Sequence, residues 1–362
     1  PMKALRSTTK SLVQQLEAED KDDDEAVFAL ADALSDILRF ACYNINEADG
    51  RRIAQLPVDE ARATVKQVIG MMKICLDRRA AIINAIGGGH DGVAPDEDEC
   101  AQLYDQLMAE ERNLTPLLDS IGYTLKSLGE AFVPIFKSIV APFFSPLLTA
   151  SGTADARARF AAVALFDDCV EHCGSAAAAR YAPYLAEAVV EGMDDSKNEG
   201  DEDLKVASIY GVAQIARHAP ANVLDSSINA VMTQLTSIIK ASEGVAKDDM
   251  DDVRVVENAV SALASLAIFD KSPYAKLGQR AALLPPFLNN LPLREDPDEA
   301  QLCHDGLCDL IESGAIDLSA NAPALANIIC QIRQCVEEEG EEFSINTETD
   351  NQLNYALKLI SG

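Results

Sequence analysis

Cys169, His172 and Cys173 sit close together in this sequence, and Cys303, His304 and Cys308 form a second group of the same residue types. Thiols and imidazoles bind zinc, and a thiol with a base aimed at it is a nucleophile. On a helix Cys169 and Cys173 point one way, but His172 is turned by about 100° from Cys173. No Cys-x-x-Cys pair supplies a zinc knuckle, and side chains adjacent on a helix point apart. Neither a metal site nor thiol catalysis is therefore expected, and no cofactor is expected. The triplet Gly87-Gly88-Gly89 lacks the following Lys-Ser/Thr of a phosphate loop and is flanked by acids, so it reads as a linker.

The remaining reactive side chains are acids. Asp305, Asp309 and Glu312 are spaced so that one helical face carries all three, and their mutual repulsion costs roughly a few tenths of a kcal/mol per pair. A Lys or Arg of a bound partner would relieve that cost; a solvated face is the plain alternative. Asp168 and Glu171 share a face beside Asp167, which is equally suited to capping or bracing a neighbouring helix. Asp248, Asp249, Asp251 and Asp252 read as a turn capping the helix that follows. A hydrolase or lyase built on the Cys/His or Asp pairs would need polar groups converging on one pocket, and the sequence shows no such set. The chain reads as a non-enzyme.

Helices must position these residues. Hydrophobic residues make up 48% of the 362-residue chain while aromatics make up 5%, with no Trp. Ala and Leu dominate, which favours closely packed helices over strands. The chain exceeds the usual size of a single core. Its 59 acids against 30 Lys and Arg give a formal net charge of −29, which repels phosphate backbones and excludes nucleic acid as a partner. It attracts basic proteins, or serves solubility alone. Nine cysteines, an odd number, read as reduced and mostly buried thiols of an intracellular protein. The apolar stretch 131–150 holds Lys137 and the prolines Pro134, Pro142 and Pro146, so membrane insertion is not expected.

Apolar periodicity predicts helices over 2–19, 26–43, 58–86, 100–128 and, bent by its prolines, 130–148. After Thr153 the pattern becomes regular. Helices end near Cys173, His218, Phe269 and Ser313, with partners near 181–191, 222–240, 274–290 and 321–338, and a last helix over 347–360. Helix pairs recurring at roughly 40–47 residues mark HEAT or armadillo arrays. Asp251-Asp252-Val253-Arg254 followed by Val256, Ala259, Val260 and Leu263 fits the second helix of a HEAT pair, with Arg254 able to reach a neighbouring repeat. The reading is all-α: an α-α superhelix, a HEAT-repeat solenoid of about six to seven helical hairpins. Residues 1–150 form HEAT-like hairpins with an acidic linker at 87–99, and residues 151–362 form regular HEAT repeats.

Phe166-Asp-Asp-Cys-Val-Glu-His-Cys173, Tyr210-Gly-Val-Ala-Gln-Ile-Ala216, Glu257-Asn-Ala-Val-Ser-Ala262, Leu291-Pro-Leu-Arg-Glu-Asp296 and Leu307-Cys-Asp-Leu-Ile-Glu-Ser313 occur in this order. They resemble the C-terminal HEAT repeats of the karyopherin beta (importin beta) family, in particular its importin beta-3 branch. The resemblance covers 155–314 well and extends weakly to both ends; 1–150 match mainly in layout. The Ala-rich helices and the stretch 193–202 depart from the family. The chain is expected to be the C-terminal portion of a longer protein.

The resemblance implies nuclear import. Such receptors carry basic protein cargo, touch Phe-Gly nucleoporins while shuttling between cytoplasm and nucleus, and release cargo when Ran-GTP binds. The main Ran-GTP site is expected in N-terminal repeats outside this chain. On this reading Asp167, Asp168, Glu171, Asp305, Asp309 and Glu312 are cargo contacts. Phe132, Phe136, Phe143 and Phe144 line a groove for nucleoporin Phe side chains, or else are ordinary core. A HEAT-repeat scaffold subunit of a multiprotein complex is the alternative.

Overall fold

The computed structural model of the protein describes residues 2–19, 23–45, 52–88, 95–149, 154–198, 200–243, 253–339 and 345–361. Among them the only β-structure is an isolated bridge between Ile45 and Arg52; the rest is helices and turns. The expected Asp248, Asp249, Asp251 and Asp252 cap and most of the Gly-rich linker lie outside the described residues.

Two compact units divide the chain, Pro1–Ala188 and Val189–Gly362. The sequence reading drew its boundary at 150/151, between HEAT-like and regular hairpins. The helix that follows residue 153 lies against both the helix 97–128 and the turn 145–147 of the first unit.

In the first unit, α1 (Met2–Ala18) pairs with α2 (Asp24–Tyr43), and α3 (Val58–Ile86) with α4 (Glu97–Leu128). A broken helix over 129–147 then precedes α5 (Ala156–His172), and α6 (Ser175–Gly192) runs to the division. In the second unit α7 (Glu202–His218) is followed by α8 (Ile228–Ala241) packed on α9 (Val253–Leu263), by α10 (Arg280–Asn289), which lies against α9, by α11 (Pro297–Glu312), and by α12 (Leu318–Glu339), which touches α10 and packs on α13 (Thr347–Ser361). Second helices stack on second helices: α2 on α4 and α4 on α5 in one unit, α7 on α9, α9 on α11 and α11 on α13 in the other. This repetition of one hairpin, each burying a face its neighbour covers, is a HEAT-type array.

Aspartates start the second helix of most hairpins. The carboxylates of Asp23, Asp155 and Asp201 accept the N–H of Ala26, Ala158 and Leu204 at 3.1, 2.7 and 2.8 Å. Asp96 and Glu99 close a reciprocal capping box on α4, and Asp296 caps α11 through Asp298 and Glu299. Asn346 does the same for α13 through Thr349. Each such cap satisfies an orphan amide and is worth about 1 kcal/mol.

The prolines at 134, 142 and 146 break the run after α4 into alternating 3-10, α and π turns. By length and composition alone Glu97–Leu147 passes for a membrane span. Its Leu117, Ile121, Leu125, Phe132, Ile135 and Val140 are instead buried inside the first unit.

Candidate protein-binding surfaces

Of the six acids expected to meet cargo, three pack against neighbouring helices, Asp167 fully buried and Asp168 and Asp305 half-buried. Asp167 is 2% exposed, and neither carboxylate oxygen has a hydrogen-bond partner among the described residues. Burial, then the charges of Asp168 and Glu171, raise its pKa well above the usual carboxylate range. It is a buried acid of α5 whose charged form burial disfavours, and at that depth it cannot touch a partner. The sequence hides this because α5 is covered on both sides, so even a polar position on it faces the interior.

Asp168 is half-buried and rests over α4 at Gly122, where an added Cβ would stand 2.9 Å from its Oδ2. Burial and Glu171 push its pKa to about 7, with Asp119 adding to the rise and Lys126 opposing it. Asp168 is therefore only partly charged at neutral pH, and a cation brought to it completes its ionisation. Glu171 beside it lies 3.5 Å from His172 Nε2.

Asp305 is the third. Its Oδ1 accepts Gln301 Nε2 at 2.7 Å and the hydroxyl of Thr349, so it ties α11 to α13. Asp309 and Glu312 stay exposed on the same face. They form one wall of a groove of about 710 Å³. Its other wall comes from Ala216 and Arg217 at the end of α7 and from Ser265 and 269–272 beyond α9. The floor is apolar. Phe269 lies so close to Gly306 that a Cβ there would stand 2.2 Å from the ring, which makes glycine obligatory at that point.

Two cations line the groove, Lys271 and Arg217, against the acids Asp270, Asp305, Asp309 and Glu312, and Arg217 is committed. Arg217 Nη2 grips both oxygens of buried Glu299 at 2.8 and 2.7 Å, and Ser261 of α9 donates to the same carboxylate. Asp270 pairs with Arg280 at 2.8 Å. Among the described residues Asp309 and Glu312 make no ion pair, so the groove presents net negative potential over an apolar base. A lysine or arginine side chain, with its long methylene stem, suits such a surface.

Neighbouring hairpins are fastened by acids and arginines that sequence reading did not assign, except one. Arg254 at the start of α9 reaches Asp203 on α7 at 3.1 Å, as its position after the Asp pair requires. Glu257 accepts the N–H of Arg294 and Glu295 at 2.6 and 2.9 Å and so anchors the loop before α11. Arg79 on α3 meets Asp155 at 3.2 Å, and Arg157 pairs with Glu111. Partners separated by 37 to 76 positions leave no local mark in a single sequence; only the Asp-x-Arg spacing at 155–157 and the Asp251-Asp-Val-Arg254 run hint at them.

Phe132, Phe136 and Phe144 are wholly buried. Phe136 stacks edge-on against Phe166 at 5.1 Å and Tyr181 at 4.7 Å between ring centres. Only Phe143, edge-on to Phe144 at 4.8 Å, keeps an accessible edge. These rings fill the interior between the broken helix, α5 and α6, and leave no open slot for a partner's Phe.

Cys169, Cys303 and Cys308 of the cysteine groups hold protonated thiols. Burial, reinforced by nearby carboxylates, pushes Cys303 and Cys308 up to about 12. Burial and the Cys173 thiol raise Cys169. A thiol in that state is neither nucleophile nor ready metal ligand. Among the described residues no group of three or more His, Cys, Asp or Glu side chains is placed to hold a metal ion.

No protein-family model matches the chain. Among solved structures it is similar to the karyopherin Kap121p bound to the SUMO protease Ulp1p, at 16% identity and a TM-score of 0.66, over 98% of this chain and 28% of that one. It is also similar to a multiply substituted Kap121p, at 15% identity and a TM-score of 0.62, over 99% of this chain and 30% of that one. The chain spans less than a third of the length of those karyopherins. Likeness at such low identity speaks for the fold, and with the stacked, Asp-capped hairpins it fixes the architecture: this chain is an all-α HEAT-repeat solenoid.

Proposed function

We propose that the chain is the C-terminal part of a nuclear transport receptor of the importin beta family that carries basic protein cargo through the nuclear pore. The observation that carries this reading is the acid-walled, apolar-floored groove on a fold similar to a karyopherin over nearly the whole chain. Kap121p was solved with a protein bound, the SUMO protease Ulp1p, and a protein cargo is what the groove's size and charge suit here. Asp309 and Glu312 are the cargo contacts in the second unit, and Asp168 with Glu171 those in the first. Asp305 holds the wall in place and Asp167 has no direct part.

The family resemblance of the sequence, in particular to its importin beta-3 branch, extends the reading to Ran-GTP as the releasing partner, with its main site in repeats outside this chain. It extends it also to Phe-Gly nucleoporins and to shuttling between cytoplasm and nucleus. The test is a pull-down of the full-length protein on immobilised Phe-Gly repeats, with and without Ran-GTP. Retention on the repeats together with Ran-GTP binding is expected. Retention of neither partner removes the transport reading and leaves a HEAT-repeat scaffold.

A further inference from the structure

The first unit has a feature that the stacking of hairpins does not require. Helices α3 and α4 have 29 and 32 residues, against 17 for α1 and α5 and 20 for α2. Contacts fix where the shorter helices stop. Asp24 at the start of α2 stands 4.0 Å from Arg78, and Arg112 lies over the Phe28 ring at 4.9 Å. Asp155, the cap of α5, meets Arg79, whose Nη1 also reaches the Leu107 carbonyl at 3.4 Å. Both neighbouring helices therefore begin at the level of residues 78–79 on α3 and 107–112 on α4. Beyond that level the α3–α4 hairpin stands clear by about two to three turns of helix.

The overhang carries exposed apolar side chains. Ile83, Tyr104 and Met108 are 38, 53 and 62% exposed. Tyr104 and Met108 lie one turn apart on one face of α4. Single exposed apolar residues are ordinary, but an aromatic and a methionine stacked on a projecting helix make an adaptable docking face. The charge around it has one sign. From Ala80 to Ala109 the sequence contains no Lys or Arg, while Asp96, Glu97, Asp98, Glu99 and Asp105 line the start of α4. The first basic residues below, Arg78 and Arg79, are engaged by Glu110 and Asp155 at 3.2 Å each.

We infer that the projecting tip of the α3–α4 hairpin is a second binding site, and that its ligand is a basic amphipathic helix of a partner protein. The apolar stripe of that helix covers Ile83, Tyr104 and Met108, and its Lys and Arg face the acids around Glu97, Asp98 and Asp105. An acidic partner, or a second copy of this acidic chain, would meet like charge. The site is separate from the groove on α11 and does not depend on the transport reading.

The probe is a short synthetic amphipathic helix of Leu and Lys, with its Leu and Glu counterpart as the opposite-charge control, titrated into the whole chain by fluorescence anisotropy. The Leu/Lys peptide is expected to bind saturably and the Leu/Glu peptide not at all. The surface variant Tyr104→Ser with Met108→Ser is expected to weaken binding by about tenfold or more. Asp105→Lys is expected to weaken it in a salt-dependent way. All three positions are exposed, so far-ultraviolet circular dichroism should be unchanged. Equal affinity in the double Ser variant, equal binding of both peptides, or a dimer in sedimentation that the Ser variant abolishes would each overturn the assignment.

Discussion

Replacing Glu299 by Ala is expected to destabilise the second unit by about 3–5 kcal/mol, the usual effect of stripping one partner from a buried ion pair. Glu299 is 4% exposed and collects Arg217 from α7 and Ser261 from α9 while sitting on α11 itself. One carboxylate thus fixes three successive second helices. Without it the Arg217 guanidinium stays half-buried with no carboxylate to neutralise it, and the Ser261 hydroxyl loses its acceptor. Arg217→Ala should cost a similar amount, because it strands the Glu299 carboxylate instead. The double variant should cost clearly less than the two singles added together, since each removes the same interaction. Urea unfolding followed by circular dichroism measures all three. A Glu299→Ala change within about 0.5 kcal/mol, the range of ordinary surface substitutions, would show that the pair holds nothing in place. The same brace positions Ala216, Ser265 and Asp305 around the groove, so a loosened brace should also weaken whatever the groove binds.

Phe136→Ala should cost the first unit about 3–5 kcal/mol, as truncation of a fully buried ring does. The ring is inaccessible and makes edge-on contacts with Phe166 and Tyr181, which themselves contribute about 0.5–1.5 kcal/mol per pair beyond area. Phe143→Ala, at a partly accessible position, should cost much less. The comparison separates two roles for the phenylalanines around the proline-broken helix. If they were a receptor surface for Phe-Gly repeats, Phe136→Ala would lower affinity for the repeats and leave unfolding unchanged. A large loss of stability with the helical spectrum retained is the outcome that the packing demands.

What could be read from the sequence, and what could not, follows from the range over which each interaction acts. Helix periodicity is local, so the long pair 58–86 and 100–128, the bent run through Pro134, Pro142 and Pro146, and the alternation of paired helices after residue 153 were all legible. Capping is local too, but easily read past: in the sequence reading Asp96 with Glu99 falls in the acidic linker 87–99 and Asp201 in the stretch 193–202, whereas they and Asp155 start second helices. The π turns at 136–140 and 264–268 were not legible, because a single extra residue per turn leaves hydrophobic spacing almost unchanged. Nor were the buried acids. Asp167, Glu257 and Glu299 are spelled like surface residues, and only the arginine, serine or backbone amides that meet the two glutamates reveal why they are inside. The acid face of α11 was legible as a face; that Asp305 is engaged by Gln301 and Thr349 while Asp309 and Glu312 are free to meet a ligand depends on α13, more than forty residues away in sequence.

The central claim is that an exposed acid wall on this row of hairpins holds basic protein segments, and one titration tests it most directly. A fluorescent Lys-rich peptide without apolar residues, which lacks the apolar stripe proposed to cover the α3–α4 tip, is titrated into the whole chain and into a variant carrying Asp309→Lys and Glu312→Lys. Both positions are exposed, so the variant should keep its fold. Saturable binding that the reversal weakens by about tenfold or more at low salt, with the difference shrinking as salt rises, is the predicted result. Equal affinity for chain and variant at both low and moderate salt would contradict the assignment.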